Sequence, residues 1–312
     1  MENLLQDLAA TLTKLSPTPA NSRRLFHGRG HIFPGLEFLA IDLFDPILLI
    51  TLFKAPPLHF ESAFLPQLLK QVEATRLQAV VLQRRHLKNA PSEIIYGELP
   101  PGTYAQRNDL RFRIKLGQQQ NIGYFLDMEP GRQWLEAKSQ GKRILNLFAY
   151  TCVFSVIAIA TGADHVFNVD MSRSALNQGR ENHRLNKLPS QKASYYDGNV
   201  FKSWGRIQRK GPYDLVIIDP PSYQPGSFVA KNDYAKVIRR LPKLLRQNGC
   251  ALLSLNAPEI TEYEFKNQIQ AACPEMQFTK RLRPSSDFPD VHPDHQLKLL
   301  VYETPATGEN AL

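Results

Sequence analysis

The sequence predicts an α/β protein in two parts: a small α+β module followed by a doubly wound, mostly parallel sheet with helices on both faces. Short apolar runs typical of strands dominate the first third of the chain, whereas strands and helices alternate from about residue 120 onward. The composition, with 43% hydrophobic and 21% charged residues, is that of an ordinary globular protein. The longest apolar run covers residues 46–53, whereas a membrane-spanning helix needs roughly 20 residues.

The N-terminal module is predicted to comprise residues 1–119 and to help bind the substrate. It begins with an amphipathic helix that ends at the Ser-Pro-Thr-Pro cluster of residues 16–19, because proline breaks a helix. Residues 38–53 indicate two strands joined by a turn at Phe44-Asp45-Pro46. The same patterns predict a helix at 63–72 and strands at 79–83 and 110–115.

The second part, residues 120–312, is predicted to form the doubly wound sheet. Its strands are expected at 143–148, 164–169, 193–196, 213–218, 251–255, 276–282 and 296–302. Helices are expected at 154–161, 173–185, 233–246 and 262–272, and Ser172 is a favourable N-cap for the second of them. Ligands bind such sheets at the carboxyl ends of the strands, so the residues that follow each strand are the site candidates.

An acid ends the second strand of this sheet, and no glycine-rich loop follows the first. Asp170 can accept hydrogen bonds from the hydroxyls of a ribose, or it can stabilise the following helix through the helix dipole. The loop at 148–154 contains no glycine, and the chain has neither a G-x-G-x-x-G nor a Walker-type motif. These features disfavour nicotinamide and nucleoside-triphosphate enzymes and favour a nucleoside cofactor without phosphates.

The fourth strand is followed by Asp219-Pro220-Pro221-Ser222-Tyr223. Two successive prolines fix the backbone and remove two donors, which leaves a rigid loop with available carbonyl groups. A carboxylate and a proline carbonyl can together accept the hydrogens of a planar amine, and an aromatic ring can stack on a base. The alternative is a simple loop that terminates a buried strand.

Three segments carry a family resemblance: GYFLDMEPGRQWL at 123–135, ILNLFAYTCVFSVIAIATGADHVFNVDMSRSALNQGRENHRLNKL at 144–188, and YDLVIIDPPSY at 213–223. They resemble class I S-adenosylmethionine-dependent methyltransferases. More narrowly, they resemble the bacterial family that includes the large-subunit ribosomal-RNA enzymes acting on cytosine carbon 5 and guanine nitrogen 7. The resemblance covers about residues 24–302. It implies a Rossmann-like sheet of seven strands with an antiparallel seventh strand, S-adenosyl-L-methionine as the cofactor, and ribosomal RNA as the substrate.

The resemblance also implies a set of cofactor-binding residues. These are Asp127, Arg132, Phe148, Ala149, Tyr150, Thr151, Asp170, Met171, Asp197, Asn199 and Asp219. The chain departs from the family at three positions: Glu129 replaces an arginine, Val153 replaces a loop glycine, and Asn199 replaces the acid that recognises adenine. Either Asn199 or the nearby Asp197 can accept a hydrogen bond from the adenine amino group.

The predicted acceptor atom is a nitrogen. Methylation of a pyrimidine at carbon 5 requires a cysteine nucleophile, which follows the fifth strand in the resembling enzymes. Here Asn256 follows that strand, and Cys250 lies at its opposite end. A nitrogen acceptor needs mainly positioning. The candidate catalytic residues are Asp219, Pro220, Pro221, Tyr223 and Asn256.

The formal net charge of +9 favours a polyanionic partner such as RNA. Basic clusters lie at 84–88, around 202–210 and around 236–246, and the run FHGRGH at 26–31 suits phosphate or base contact, or a plain loop. No metal, no membrane and a cytoplasmic location are expected, since the histidines lack ligand spacing and the N-terminus lacks a signal-peptide pattern. The alternatives are a methyltransferase acting on a protein or small molecule, and an RNA-binding protein without catalysis.

Overall fold

A computed structural model describes residues 2–12, 21–117, 120–221, 223–224 and 228–305. These residues form two compact units. The first unit contains the chain up to Leu126 together with Ser286–Val291, and the second contains Asp127–Ser285 and the chain from His292 onward. The division therefore falls a few residues beyond the predicted 119/120 boundary, and the first unit includes a segment that no local pattern indicated.

Segment 286–291 is held to the first unit by specific contacts. Arg23 pairs with Asp287 at 2.7 Å, and the Val291 amide donates to the Gly30 carbonyl at 2.9 Å. Gly30 is required here, because a Cβ at this position would lie 1.8 Å from the Pro289 carbonyl oxygen.

The first unit is built on a five-stranded sheet of order β1-β2-β3-β4-β5. Neighbouring strands are antiparallel except β3 and β4, which are parallel and connected through the helix α2. The elements are α1 (Glu2–Leu12), β1 (Arg23–His27), β2 (Leu39–Phe44), β3 (Ile47–Leu52), α2 (Phe60–Glu73), β4 (Ala79–Arg84) and β5 (Ser92–Gly97), followed by a hairpin of β6 (Tyr104–Arg107) and β7 (Leu110–Arg113). The predicted elements are confirmed at β2, β3, α2, β4 and β7, whereas β1, β5 and β6 were not predicted.

The first helix buries one apolar face. Leu4, Leu5, Leu8 and Leu12, spaced as on one side of a helix, join the core formed by the sheet and α2. The helix is described to Leu12, and the predicted ending at 16–19 lies outside the described residues.

The second unit contains a seven-stranded sheet of order β10-β9-β8-β11-β14-β16-β15. The strands are β8 (Arg143–Leu147), β9 (His165–Asp170), β10 (Ala193–Asp197), β11 (Tyr213–Ile218), β14 (Leu245–Leu255), β15 (Gln277–Leu282) and β16 (Lys298–Glu303), and a separate short pair is formed by β12 (Tyr223–Gln224) and β13 (Phe228–Val229). All seven strands are parallel except β16, which is antiparallel to both neighbours. The predicted doubly wound sheet and its antiparallel strand are confirmed.

The helices of the second unit are α3 (Glu129–Glu136), α4 (Val153–Ala160), α5 (Arg173–Leu185), α6 (Trp204–Lys210), α7 (Ala230–Ile238), α8 (Leu241–Leu244) and α9 (Glu262–Ala272). The helix α5 has the predicted bounds, and the Ser172 hydroxyl accepts from the Ala175 amide at 3.2 Å. The prediction of one helix at 233–246 is wrong. Pro242 lies in the first turn of α8, where its missing N–H prevents α7 from continuing, and β14 begins at Leu245.

The strand order places β8 and β11 side by side in the middle of the sheet. The chain leaves β8 toward β9 and β10 on one side, and leaves β11 toward β14 on the other. The loops after β8 and β11 therefore diverge at their carboxyl ends, which is where a doubly wound sheet forms a ligand crevice. Tyr234, fully buried in α7, donates toward the Ile218 and Ser254 carbonyls at 3.1 and 2.8 Å and so joins the ends of β11 and β14.

Within the described ranges, no helix has the length and apolar character needed to cross a bilayer. In the part of the chain that the structure describes, no three His, Cys, Asp or Glu side chains lie close enough together to hold a metal ion. Cys152, Cys250 and Cys273 are buried free thiols.

Candidate active site

The loop that follows β8 has an unusual backbone. Phe148, Tyr150 and Cys152 have φ values of 57°, 47° and 59°, although none of them is glycine. Such a left-handed conformation costs energy for a residue with a Cβ and persists only when surrounding contacts impose it. The amides of Ala149, Tyr150 and Cys152 are each bonded, to the Val169 carbonyl, the Asp170 carboxylate and the Ala149 carbonyl, at 2.8–3.1 Å.

The helix α5 also holds this loop in place. The Asn182 amide nitrogen donates to the Thr151 carbonyl at 3.0 Å, and both residues are buried. Gly179 lets α5 approach the loop, because a Cβ there would lie 2.5 Å from the Cys152 sulfur. Val153, which replaces a loop glycine of the resembling family, is the first residue of α4, and the left-handed position directly before it is Cys152.

Asp170 ends β9 and organises two turns. Its Oδ2 accepts from the Tyr150 amide at 2.8 Å and its Oδ1 accepts from the Ser172 amide at 2.7 Å. Burial raises the pKa of Asp170, while the backbone N–H groups of Ser172, Tyr150 and Met171 act in the opposite direction. The carboxylate thus joins the β8 loop to the start of α5, and the neighbouring Met171 side chain is 49% exposed.

The end of β10 distinguishes the two candidates for adenine recognition. Asp197 is exposed and lies 3.7 Å from the exposed Arg173 guanidinium. Asn199 is half-buried, and its Oδ1 accepts from the Phe201 amide at 2.9 Å. Asn199 is therefore fixed by its own turn, whereas Asp197 forms a surface ion pair of little energetic weight.

Asp219 follows β11 directly and lies in a poorly solvated position. Burial is the largest cause that raises the pKa of Asp219 to about 6. A hydrogen bond with Ser254 lowers this pKa, the negative charge of Asp127 raises it, and the positive charge of Arg132 lowers it. Pro220 is buried and Pro221 is half-buried. The backbone of Tyr223 belongs to β12, and the Tyr223 side chain lies outside the described residues.

The charged neighbours of Asp219 are Asp127, just before α3, and Arg132, within α3. Arg132 is 2% exposed, and its Nε donates to Glu129 Oε2 at 2.9 Å. Glu129, which replaces an arginine of the resembling family, is thus the ion-pair partner of Arg132. The Ser254 hydroxyl also lies 3.9 Å from the Met128 sulfur. Ser254 was not predicted as a site residue, because a hydroxyl inside an apolar strand carries no distinguishing signal.

The end of β14 offers no thiol. Asn256 is exposed directly after the strand. Cys250 is buried within the strand, with its sulfur 3.4 Å from Glu303 Oε1. Burial and the adjacent carboxylate raise the pKa of Cys250 to about 11, which keeps it a neutral thiol at physiological pH.

The carboxyl edge of the sheet has the features of a nucleoside-cofactor site. Asp170 is an anionic acceptor at the end of the second strand, which is where such sheets bind ribose hydroxyls. The amides of Ala149, Tyr150 and Cys152 in the loop after β8 are already bonded within the protein, so they are not available to a phosphate as they would be in a phosphate-binding loop. The fold and the site together define a class I, Rossmann-like protein that binds a nucleoside cofactor.

The chain belongs to the S-adenosylmethionine-dependent methyltransferase family, whose model matches residues 23–303. The cofactor is therefore S-adenosyl-L-methionine, and the observed residues fit it. An anionic acceptor follows the second strand, and an exposed apolar side chain, Met171, comes next in the chain.

Named relatives and a solved structure agree with this family. A ribosomal RNA large subunit methyltransferase I from Aeromonas hydrophila is 30% identical over 197 residues, covering 61% of this chain and 49% of that protein. The protein of the same name from Shigella dysenteriae is 26% identical over 281 residues, covering 86% of this chain and 70% of that protein. The matched region thus spans about half the length of the first relative.

SMU.776, a proposed methyltransferase whose crystal structure contains SAH, is 25% identical with a TM-score of 0.83. That likeness covers 97% of this chain and 80% of SMU.776.

Proposed function

We propose that this protein transfers a methyl group from S-adenosyl-L-methionine to a base nitrogen of RNA, with ribosomal RNA as the substrate. Two features together support a nitrogen acceptor. Asp219 follows β11, and the residue that follows β14 is Asn256 rather than a cysteine. Carbon-5 methylation of a pyrimidine needs a cysteine nucleophile at the reacting base, and the nearest cysteine in the sequence, Cys250, is buried and neutral.

The cofactor half of the proposed site comprises the ends of β8, β9 and β10. Phe148, Ala149, Tyr150 and Thr151 form the loop against the methionine moiety. Asp170 would accept from the ribose hydroxyls with the lone pairs that its two backbone N–H bonds leave available. Met171 would contact adenine, and Asn199 would accept from its amino group in preference to Asp197.

The acceptor half comprises Asp219, Pro220, Pro221, Tyr223 and Asn256, with Asp127 and Arg132 beside it. The Asp219 carboxylate and the Pro220 carbonyl would accept the hydrogens of an amino group and aim its lone pair at the methyl carbon, which the cofactor supplies as an electrophile. The new N–C bond forms as the C–S bond breaks, and the nitrogen proton is released to Asp219 or to water. A pKa of about 6 leaves Asp219 ionised at neutral pH and able to take it.

RNA is proposed as the partner for two reasons. The relatives from Aeromonas hydrophila and Shigella dysenteriae carry the name of ribosomal RNA methyltransferases. The net charge of +9 favours a polyanionic substrate. In this proposal the first unit contributes to binding that substrate.

The decisive experiment incubates the purified protein with methyl-labelled S-adenosyl-L-methionine and total cellular RNA. Label that ribonuclease releases, and that the Asp219→Ala variant fails to incorporate, supports the proposal. Nucleoside analysis then identifies the methylated atom. Label on carbon 5 of a pyrimidine would contradict the nitrogen assignment, and label confined to protein or small molecules would contradict RNA as the substrate.

A further inference from the structure

The first unit presents two arginines on one aromatic ring. The guanidinium carbons of Arg29 and Arg85 lie 4.4 and 5.1 Å from the centroid of the Phe53 ring. Phe53 directly follows β3, Arg85 directly follows β4, and Arg29 lies in the short turn after β1. We call these three residues the Phe53 platform. Guanidinium planes and aromatic rings are the surfaces on which proteins stack unpaired bases of RNA.

Arg85 differs from the other half-buried arginines of this unit. Arg24 binds Asp42 through two bonds of 2.7 and 3.0 Å, Arg76 binds Asp45, and Arg84 binds Glu61 at 2.6 Å. Among the described residues, no carboxylate pairs with the Arg85 guanidinium, although Arg85 is half-buried. A partly desolvated charge without an opposite charge is costly, so this position favours an anion from outside the chain.

The surroundings of Arg85 are also cationic. Burial lowers the pKa of Arg85, and the positive charges of Arg29 and Arg24 lower it further. The exposed side chains of Lys54 and Lys88 flank the platform in the sequence. Glu37, an acid of this unit, interacts with the charges of His31 and Lys54 and accepts from the Gly35 amide at 3.0 Å.

Apolar side chains accompany these charges. Leu87 is 47% exposed two residues after Arg85, and Ile32 and Phe33 are 42% and 38% exposed shortly after Arg29. A small inorganic anion cannot contact this apolar surface favourably, whereas a single-stranded nucleic acid presents phosphates and base faces together. We propose that the Phe53 platform binds the backbone of single-stranded RNA, with Arg85 and Arg29 each on a phosphate and an adjacent base on their guanidinium planes and the apolar surface.

This inference rests on the proposed function, since it names where the RNA substrate is bound. The test measures binding of a fluorescein-labelled single-stranded oligouridylate to the full chain by anisotropy over a salt series. The variants are Arg85→Gln, Arg29→Gln and the double substitution. The matched control is Lys138→Gln, which also removes one positive charge but lies exposed just after α3, outside the three basic clusters. Thermal melting and S-adenosyl-L-methionine affinity monitor folding of every variant.

Each single variant is expected to weaken binding several-fold at low salt and to reduce the slope of log Kd against log salt concentration by about 0.7, the value for one phosphate contact on a single strand. The double variant should lose about twice that slope, and Lys138→Gln should leave it unchanged. Arg85→Lys should keep the slope but bind more weakly, because an ammonium group lacks the planar face. A folded double variant with wild-type affinity and slope would overturn the inference.

Two further results separate this inference from the proposed function. If the oligouridylate binds in an Arg85-dependent manner while no RNA is methylated, the platform stands and the proposed reaction fails. If RNA is methylated and the double variant has an unchanged KM for RNA, the reaction stands and the platform fails. Displacement of the oligouridylate by polyglutamate at equal charge concentration would identify an acidic protein surface as an equivalent ligand and overturn the RNA assignment.

Discussion

The two aspartates that follow β9 and β11 differ in what acts against burial at the same edge of one sheet. Burial raises the pKa of both carboxyl groups, but two side-chain oxygens of Asp170 accept backbone N–H bonds that oppose this rise, whereas the negative charge of Asp127 adds to it at Asp219 and the pKa there reaches about 6. A carboxylate that must stay ionised to bind hydroxyl groups is served by backbone donors. A carboxylate that must exchange protons near neutral pH is served by desolvation. The two halves of the site thus place an aspartate side chain in different surroundings, with backbone N–H donors at Asp170 and a neighbouring carboxylate at Asp219.

The largest expected effect comes from Asp219→Asn. Loss of the carboxylate should lower kcat by about 100-fold, because the proposed acceptor group and proton acceptor are lost. The same change should raise stability: burial of this charge costs the folded state about 1–3 kcal/mol at neutral pH, so the melting temperature should rise by several degrees. Methyl-transfer assays and thermal melting measure the two effects.

The sign of this stability effect depends on pH. Because the pKa of Asp219 is higher in the folded state than in the unfolded state, the folded state holds its proton more tightly between about pH 4 and pH 6. The cost of the charge therefore appears as pH rises through this window, and the stability advantage of the Asp219→Asn variant over the wild-type protein should vanish near pH 4. The control is Asp214→Asn at the amino end of the same strand, where Asp214 accepts from the Arg143 amide at 2.8 Å. It should retain activity, and a melting temperature raised equally by both variants would contradict the assignment.

Asp170→Asn should have the opposite effect on stability and a smaller effect on catalysis. An amide offers one acceptor oxygen, so the N–H of either Tyr150 or Ser172 loses its partner, which costs about 1–3 kcal/mol. Loss of a charged acceptor for the ribose should weaken S-adenosyl-L-methionine binding by about 10-fold, with kcat much less changed. Calorimetric titration and melting are the measurements.

The control for Asp170 is Asp164→Asn, an exposed acid just before the same strand. It should change neither property. If Asp170→Asn stabilised the protein, as Asp219→Asn is expected to do, then burial rather than the backbone bonds would dominate at Asp170, and the contrast between the two strand ends would be lost.

Local signals predicted those elements whose determinants are themselves local. The bounds of α5 follow from the Ser172 cap, and those of α9 agree with the Thr261 capping box in the structure. The docking of 286–291 onto the first unit depends on contacts with Arg23 and Gly30, more than 250 residues earlier, and no window of sequence reports such a contact. Long-range packing therefore had to be observed.

The site shows the same division. Asp170 and Asp219 were predicted because strand ends are visible in the sequence. The roles of Ser254 and Tyr234 were not predicted. Each lies in a segment whose other residues are mostly apolar, and its hydroxyl group reaches a strand end only through the packing of the fold. The proposed preference for Asn199 over Asp197 likewise rests on the turn that fixes Asn199, which the sequence does not show.

The smallest expected effect concerns the acidic limb of the pH–rate profile. Asp219 must be ionised to act as proposed, so kcat should fall as pH decreases through about 6. Removal of the negative charge in Asp127→Asn stabilises the ionised form of Asp219 and lowers its pKa, so the limb should move to lower pH by a few tenths of a unit up to about one. The measurement is kcat against pH at saturating cofactor, because Asp127 is also a proposed cofactor contact.

Glu181→Gln, which removes an exposed acid on α5, supplies the control and should leave the limb in place. A limb that moved equally in both variants would reflect the overall charge of the protein rather than the pair of carboxylates. A limb that moved to higher pH in Asp127→Asn would mean that Asp127 stabilises the ionised Asp219 carboxylate through a hydrogen bond. In that case the repulsion between the two carboxylates would not explain the raised pKa of Asp219, and the proposed difference between the ends of β11 and β9 would be wrong.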